Sequence, residues 1–131
     1  MIKVLDASAI MFYLEKKPGY DKVRDLLTKA AASGRNLLVS AINIGELYYC
    51  LVKHYGSQEA NKIIALVETF PIDFVLADSS LAKQAALFQL NSKLSFEQCF
   101  AAALAKTKKG ELVTADKELK ALEDEIRIFW I

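Results

Sequence analysis

The chain has 131 residues, of which 53% are apolar, 25% charged and 10% aromatic, enough for one core that buries roughly 70% of the unfolded surface. Seventeen Lys and Arg against sixteen Asp and Glu give a net charge of +1, which excludes an acidic disordered tail and a general basic coat for nucleic acid. Two cysteines, Cys50 and Cys99, are too few for a disulfide framework and have no metal-ligand spacing, so a reducing compartment is expected.

The first apolar run, Ile2 to Leu5, reads as a strand and ends on Asp6, an acid that interrupts any signal-peptide core. A short first helix gives way to Lys16 and Lys17. From Tyr20 to Ser33 the positions Val23, Leu26, Leu27, Ala30 and Ala31 form one helical stripe, with Gly34 placed as a left-handed cap. Leu37 to Val39 is a second strand. Ser40 then caps a helix that carries Glu46 and runs to about Tyr55, where Gly56 ends it. A further helix starts near Ser57 and stops before Pro71. Phe74 to Ala77 reads as a third strand, and Ser79 begins a helix with Leu81, Ala85, Leu87 and Phe88 facing inward. Ser95 begins the last long helix, Leu112 to Thr114 is a strand that ends near Asp116, and Ile126 to Ile131 is the final strand. The alternation implies an α/β fold in which a parallel central sheet of four to five strands lies between layers of helices. Five Gly, two Pro and no low-complexity tract leave no linker, so residues 1–131 are expected to form a single domain. No apolar run reaches the ~20 residues of a spanning helix, and a soluble cytoplasmic protein without membrane contact is expected.

Asp6 and Asp116 each follow a strand directly, at the sheet edge where open α/β folds place their ligand crevice. Glu46 lies early on the helix after the second strand and can reach the same edge. Each acid alone is explained by a helix N-terminus, worth about 0.3 to 1 kcal/mol. Together they are not, because two carboxylates about 5 Å apart repel by roughly 3 kcal/mol at an effective dielectric near 20. Glu46 also sits among Ile42, Ile44, Leu47, Tyr48 and Leu51, where a carboxylate needs a partner. Oxygen donors without a basic neighbour point to Mg²⁺ or Mn²⁺.

Four pieces in this order, Leu5-Asp6-Ala7-Ser8-Ala9, Ile44-Gly45-Glu46-Leu47, Leu94-Ser95 with Cys99 to Ala105, and Leu112-Val113-Thr114-Ala115-Asp116, resemble a PIN domain. They resemble in particular the VapC-type ribonuclease toxins of toxin–antitoxin pairs, over essentially the whole chain. The resemblance implies a PIN-like three-layer α/β/α fold, an acidic site at the strand C-termini, and Mg²⁺- or Mn²⁺-dependent endonucleolytic cleavage of RNA. It casts Asp6, Glu46 and Asp116 as metal-binding acids, Ser8 and Thr114 as supporting hydroxyls, and Gln98 at the position of the third catalytic acid. There the family usually carries Asp. A neutral amide removes one negative charge from the site. Glu97 points about 100° away on a helix of roughly 3.6 residues per turn, and Ser95-x-x-Gln98 also fits a capping box. Two readings stay open: a nuclease weakened at Gln98, or a silenced PIN module that binds RNA or an antitoxin. A phospho-acceptor domain fits less well, because Asp6-Ala7-Ser8 supplies neither an acidic pair nor Asp-x-Asp.

A basic rim of Lys16, Lys106 and Lys117 would take RNA phosphates. The resemblance implies an antitoxin partner and a homodimer, and adjacent aromatics on helices point to a partner groove near Met11, Phe12 and Tyr48. His54 is explained by a helix C-terminus and needs no catalytic role. Cys50 and Cys99 read as small buried hydrophobes.

Overall fold

A computed structural model describes residues 1–131. Its elements in chain order are β1 (Lys3–Leu5), α1 (Ala7–Glu15), α2 (Tyr20–Ser33), β2 (Leu37–Ser40), α3 (Ala41–Val67), β3 (Ile72–Val75), α4 (Ser79–Leu90), α5 (Phe96–Thr107), β4 (Glu111–Thr114), a 3-10 turn (Lys117–Leu122) and β5 (Arg127–Trp130). The strands form one parallel sheet in the order β3-β2-β1-β4-β5. The chain builds outward from β1 to one side, then returns to its other side, so the C-terminal ends of β1 and β4 flank the point where the connections diverge.

Two apolar cores lie on the two faces of this sheet. Period-two alternation assigns the residues: Val4 and Leu112, paired in register, face α4 and α5, while Leu5 and Val113, the next pair, face α1, α2 and α3. Helix α5 is buried continuously from Cys99 to Ala105, and its four alanines let it lie close against the sheet. Its exit is equally tight. Gly110 leads into β4, and a Cβ there would stand 2.4 Å from the Ile2 carbonyl oxygen, so only glycine allows β4 to run beside β1.

Most expected boundaries hold. Gly34 caps α2 in the left-handed region at φ 70°, Ser40 caps α3 through the Asn43 N–H at 3.1 Å, and Gly56 breaks the α3 run at φ 82°, ψ 162°. Some differ for physical reasons. The third strand is Ile72–Val75 and not Phe74 to Ala77, because Leu37–Ser40 pairs with Ile72–Val75 and the chain then leaves the sheet, with Leu76 81% exposed. Asp78 rather than a serine caps α4, accepting from the Leu81 N–H at 2.8 Å. Leu87 faces solvent, since Leu81, Ala85 and Phe88 already fill the inward stripe at spacings of four and three. Ala31 is likewise exposed, one step off the Val23–Leu27–Ala30 face, and Cys50 is only partly buried.

Candidate functional site

Asp6 ends β1 and caps α1. Its Oδ1 accepts the Ala9 N–H at 2.9 Å and the Ser8 hydroxyl at 2.7 Å, and its Oδ2 accepts the Thr114 hydroxyl. It is buried, and that loss of solvent pushes its carboxyl above the usual carboxylate range. The three hydrogen bonds offset part of the rise, and the charge of Asp116 adds to it. Thr114, fully buried at the end of β4, also accepts the Asp116 N–H at 2.9 Å and meets the Ser8 hydroxyl at 3.2 Å. Ser8 in turn accepts the Ala115 N–H at 2.9 Å. One hydroxyl pair, Ser8 and Thr114, thus pins the two acid-bearing strand ends together.

Glu46 stands across the crevice on α3, half-buried, and its carboxyl is also raised. Burial is the main cause, the Asn43 hydrogen bond opposes it, and the charges of Asp6, Glu97 and Asp116 add to it. Asn43 is the site residue that sequence reasoning missed. It is wholly buried: its Oδ1 accepts the Ser40 hydroxyl, and its Nδ2 donates to the Glu97 carbonyl at 3.0 Å and to Glu46 Oε1 at 3.3 Å. Asn43 therefore ties α3 to α5 and aims Glu46. The available signal was a polar residue on the inward face of α3, three positions before Glu46.

Gln98 completes the expected capping box: its backbone N–H donates to the Ser95 hydroxyl at 3.1 Å, and its Oε1 accepts the Ser95 N–H at 2.8 Å. Its Nε2 donates to Asp116 Oδ2 and, at 3.2 Å, to Glu118 Oε2. Glu118, on the 3-10 turn, is a further acid that the sequence did not single out. It follows Asp116 by two positions, at the start of a turn that Asp116 caps.

The edge is acidic and unpaired. The ion pairs of the protein are Lys3–Glu111, Lys17–Glu15, Arg24–Asp25 and Lys62–Glu59, and none reaches Asp6, Glu46, Glu97, Asp116 or Glu118. The donors are carboxylate and hydroxyl oxygens, a set suited to a hard divalent cation. Cys50, which lines a pocket with Glu46, Tyr49, Ser95 and Glu97, is held as a neutral thiol by burial and by the charge of Glu46. No three of the acids converge tightly enough to form a complete cage. The chemistry fits Mg²⁺ or Mn²⁺, with Asp6 and Asp116 as the pair that the fold brings together and Glu46 facing them.

The basic rim is only partly assembled. Lys117 adjoins Asp116 and is exposed. Lys106 is not brought to the acids: it lies eight residues along α5 from Gln98, about 12 Å at 1.5 Å per residue, and its Nζ stacks 5.3 Å from the Phe88 ring. Lys16 terminates α1 at its far end from Asp6, in the left-handed region at φ 53°. Met11 and Phe12 are half-buried on α1, and Tyr48 is 37% exposed on α3 with its hydroxyl donating to Asn61 at 2.6 Å. His54 closes on the Cys50 carbonyl at 2.8 Å, a helix contact. No helix is long and apolar enough to cross a membrane.

The chain covers its structural relatives almost end to end. VapBC2 of Rickettsia felis, solved bound to a DNA fragment from its promoter, superposes with a TM-score of 0.78 at 17% identity over 100% of this chain and 99% of that one. DNA-bound VapBC of Salmonella typhimurium gives 0.77 at 17% identity over 99% and 98%. VapC20 of Mycobacterium tuberculosis, a sarcin-ricin loop cleaving toxin, gives 0.68 at 16% identity over 91% and 93%. At such identities the likeness carries the fold. Among curated proteins none matches the sequence. The sequence profile of the PIN domain matches residues 3–125, and on that match the chain belongs to the PIN domain family.

Proposed function

We propose that this PIN domain is a metal-dependent endoribonuclease, the toxin of a toxin–antitoxin pair, acting in the cytoplasm as a homodimer restrained by its antitoxin. The observation that carries the reading is the set of carboxylates at the β1 and β4 ends with no basic side chain to neutralise them. The VapBC complexes among its structural relatives support the antitoxin, and the RNA-cleaving toxin supports the substrate class.

Asp6 and Asp116 would hold Mg²⁺ or Mn²⁺, with Glu46 on the opposite wall. When bound, the cation supplies Lewis-acid stabilisation of the charge that develops on a scissile phosphate. Ser8 and Thr114 keep Asp6 oriented by donating to both of its oxygens. Glu46 is the general base of this scheme: its raised proton affinity suits it to take a proton from the attacking water, and Asn43 keeps it aimed. Lys117, exposed beside Asp116, would take a flanking phosphate. Hydrolysis in this way leaves a 5′-phosphate and a 3′-hydroxyl.

A second reading has its own support. The Gln98 amide turns its NH₂ group on Asp116, which favours a PIN module that binds RNA or antitoxin without cutting. One experiment separates the two: RNA cleavage with Mn²⁺, with EDTA, and by Asp6→Asn. The nuclease reading expects metal-dependent cleavage that falls by roughly 100-fold or more in Asp6→Asn. Cleavage that survives EDTA, or products ending in a 2′,3′-cyclic phosphate, refutes it. A folded protein that binds RNA but never cuts selects the second reading.

A further inference from the structure

We infer that Gln98 is a positioning residue that competes with the cation for Asp116, and not a ligand that substitutes for a missing carboxylate. The inference rests on the proposed metal site and concerns one side chain within it. A primary amide has an acceptor end and a donor end, and the surroundings of Gln98 decide which faces where. The Ser95 backbone N–H can only donate, so the atom 2.8 Å from it is the amide oxygen. The capping box therefore commits that oxygen to the start of α5 and turns the NH₂ group outward. There it meets two acceptors, Asp116 Oδ2 and Glu118 Oε2.

The consequence is chemical. A cation on Asp116 Oδ2 meets the positive end of an amide dipole already seated on that oxygen. For Gln98 to ligate, its amide must turn end over end, which breaks the bond from Ser95 and both bonds to the acids. The amide acts as a built-in stand-in for positive charge: it bridges two carboxylates that have no ion pair and holds Asp116 in place while no cation is bound. An Asp at this position has two acceptor oxygens and a negative charge, and no NH₂ group to seat on Asp116.

The two roles predict opposite signs. Mn²⁺ binding is measured by calorimetry on the wild-type chain, Gln98→Met, Gln98→Ala and Gln98→Asp, with melting followed in EDTA and in Mn²⁺. Competition predicts that Gln98→Met, similar in length but without hydrogen-bonding ends, binds Mn²⁺ about 3- to 10-fold more tightly than wild type, the equivalent of one lost competing hydrogen bond. It also predicts a lower Tm in EDTA and a gap to wild type that narrows with Mn²⁺. Gln98→Ala gives the same sign if Met perturbs the fold, and Gln98→Asp binds tightest. Equal or weaker binding by both neutral variants, with Gln98→Asp still binding, overturns the inference and leaves the nuclease reading standing. No binding by any of the four proteins overturns both.

Discussion

Thr114→Val tests whether the fold itself maintains the acid pair. Valine matches threonine in shape, so the substitution leaves no cavity and removes only the hydroxyl. That hydroxyl donates to buried Asp6 Oδ2 and accepts the Asp116 N–H at 2.9 Å. A hydrogen bond to a charged partner contributes about 1.5–3 kcal/mol and a neutral one about 1 kcal/mol, so the variant should lose about 2.5–4 kcal/mol at pH 8. The loss should shrink with acidification. Without the Thr114 bond the Asp6 carboxyl rises further than it already does, so protonation relieves the variant more than the wild type, and the penalty approaches the neutral-bond value once Asp6 is protonated in both. Urea denaturation at pH 8 and pH 5 in EDTA measures both quantities. A penalty below about 0.5 kcal/mol at pH 8, or one that grows on acidification, would refute the argument that this hydroxyl sustains a buried charge.

Glu46→Gln should be more stable than the wild type at pH 8 and lose that advantage in acid. Burial raises the Glu46 carboxyl, so its contribution to stability is present when it is protonated and is lost as pH rises through its folded value. Denaturation of metal-free protein across that range shows it, and a wild type more stable than the variant at pH 8 contradicts it. Asn43→Ala should remove the one hydrogen bond that lowers the Glu46 carboxyl, raising it further. The acid limb of the kcat/KM profile should then move to higher pH, while stability falls by about 2 kcal/mol from the stranded Glu97 carbonyl and Ser40 hydroxyl. An unshifted limb removes Glu46 from the general-base role.

The strands, the helix caps and the positions of Asp6 and Asp116 were legible because each depends on nearby residues. A short continuous apolar run marks a strand, and a cap needs only its own next turn. Ser95-x-x-Gln98 was read correctly as a capping box for that reason. The 3-10 turn after Asp116 left no periodic signal, being too short to repeat one. The third strand begins two residues before the apolar run Phe74, Val75 and Leu76 suggests, because only pairing with β2 shows where the sheet ends.

The chemistry offered at the sheet edge can be read from neighbouring residues alone: acids after two strands, one on the following helix, and an amide where a carboxylate is usual. Packing governs how those groups are used. It buried Asn43 as the bridge between α3 and α5, set Glu118 beside Gln98, and sent Lys16 and Lys106 along their helices away from the acids. The reason is the range of the interactions. Propensity and capping act over about one turn of helix, but the direction an amide faces depends on Ser95, Asp116 and Glu118 together. Those partners meet only after α5 and β4 have packed.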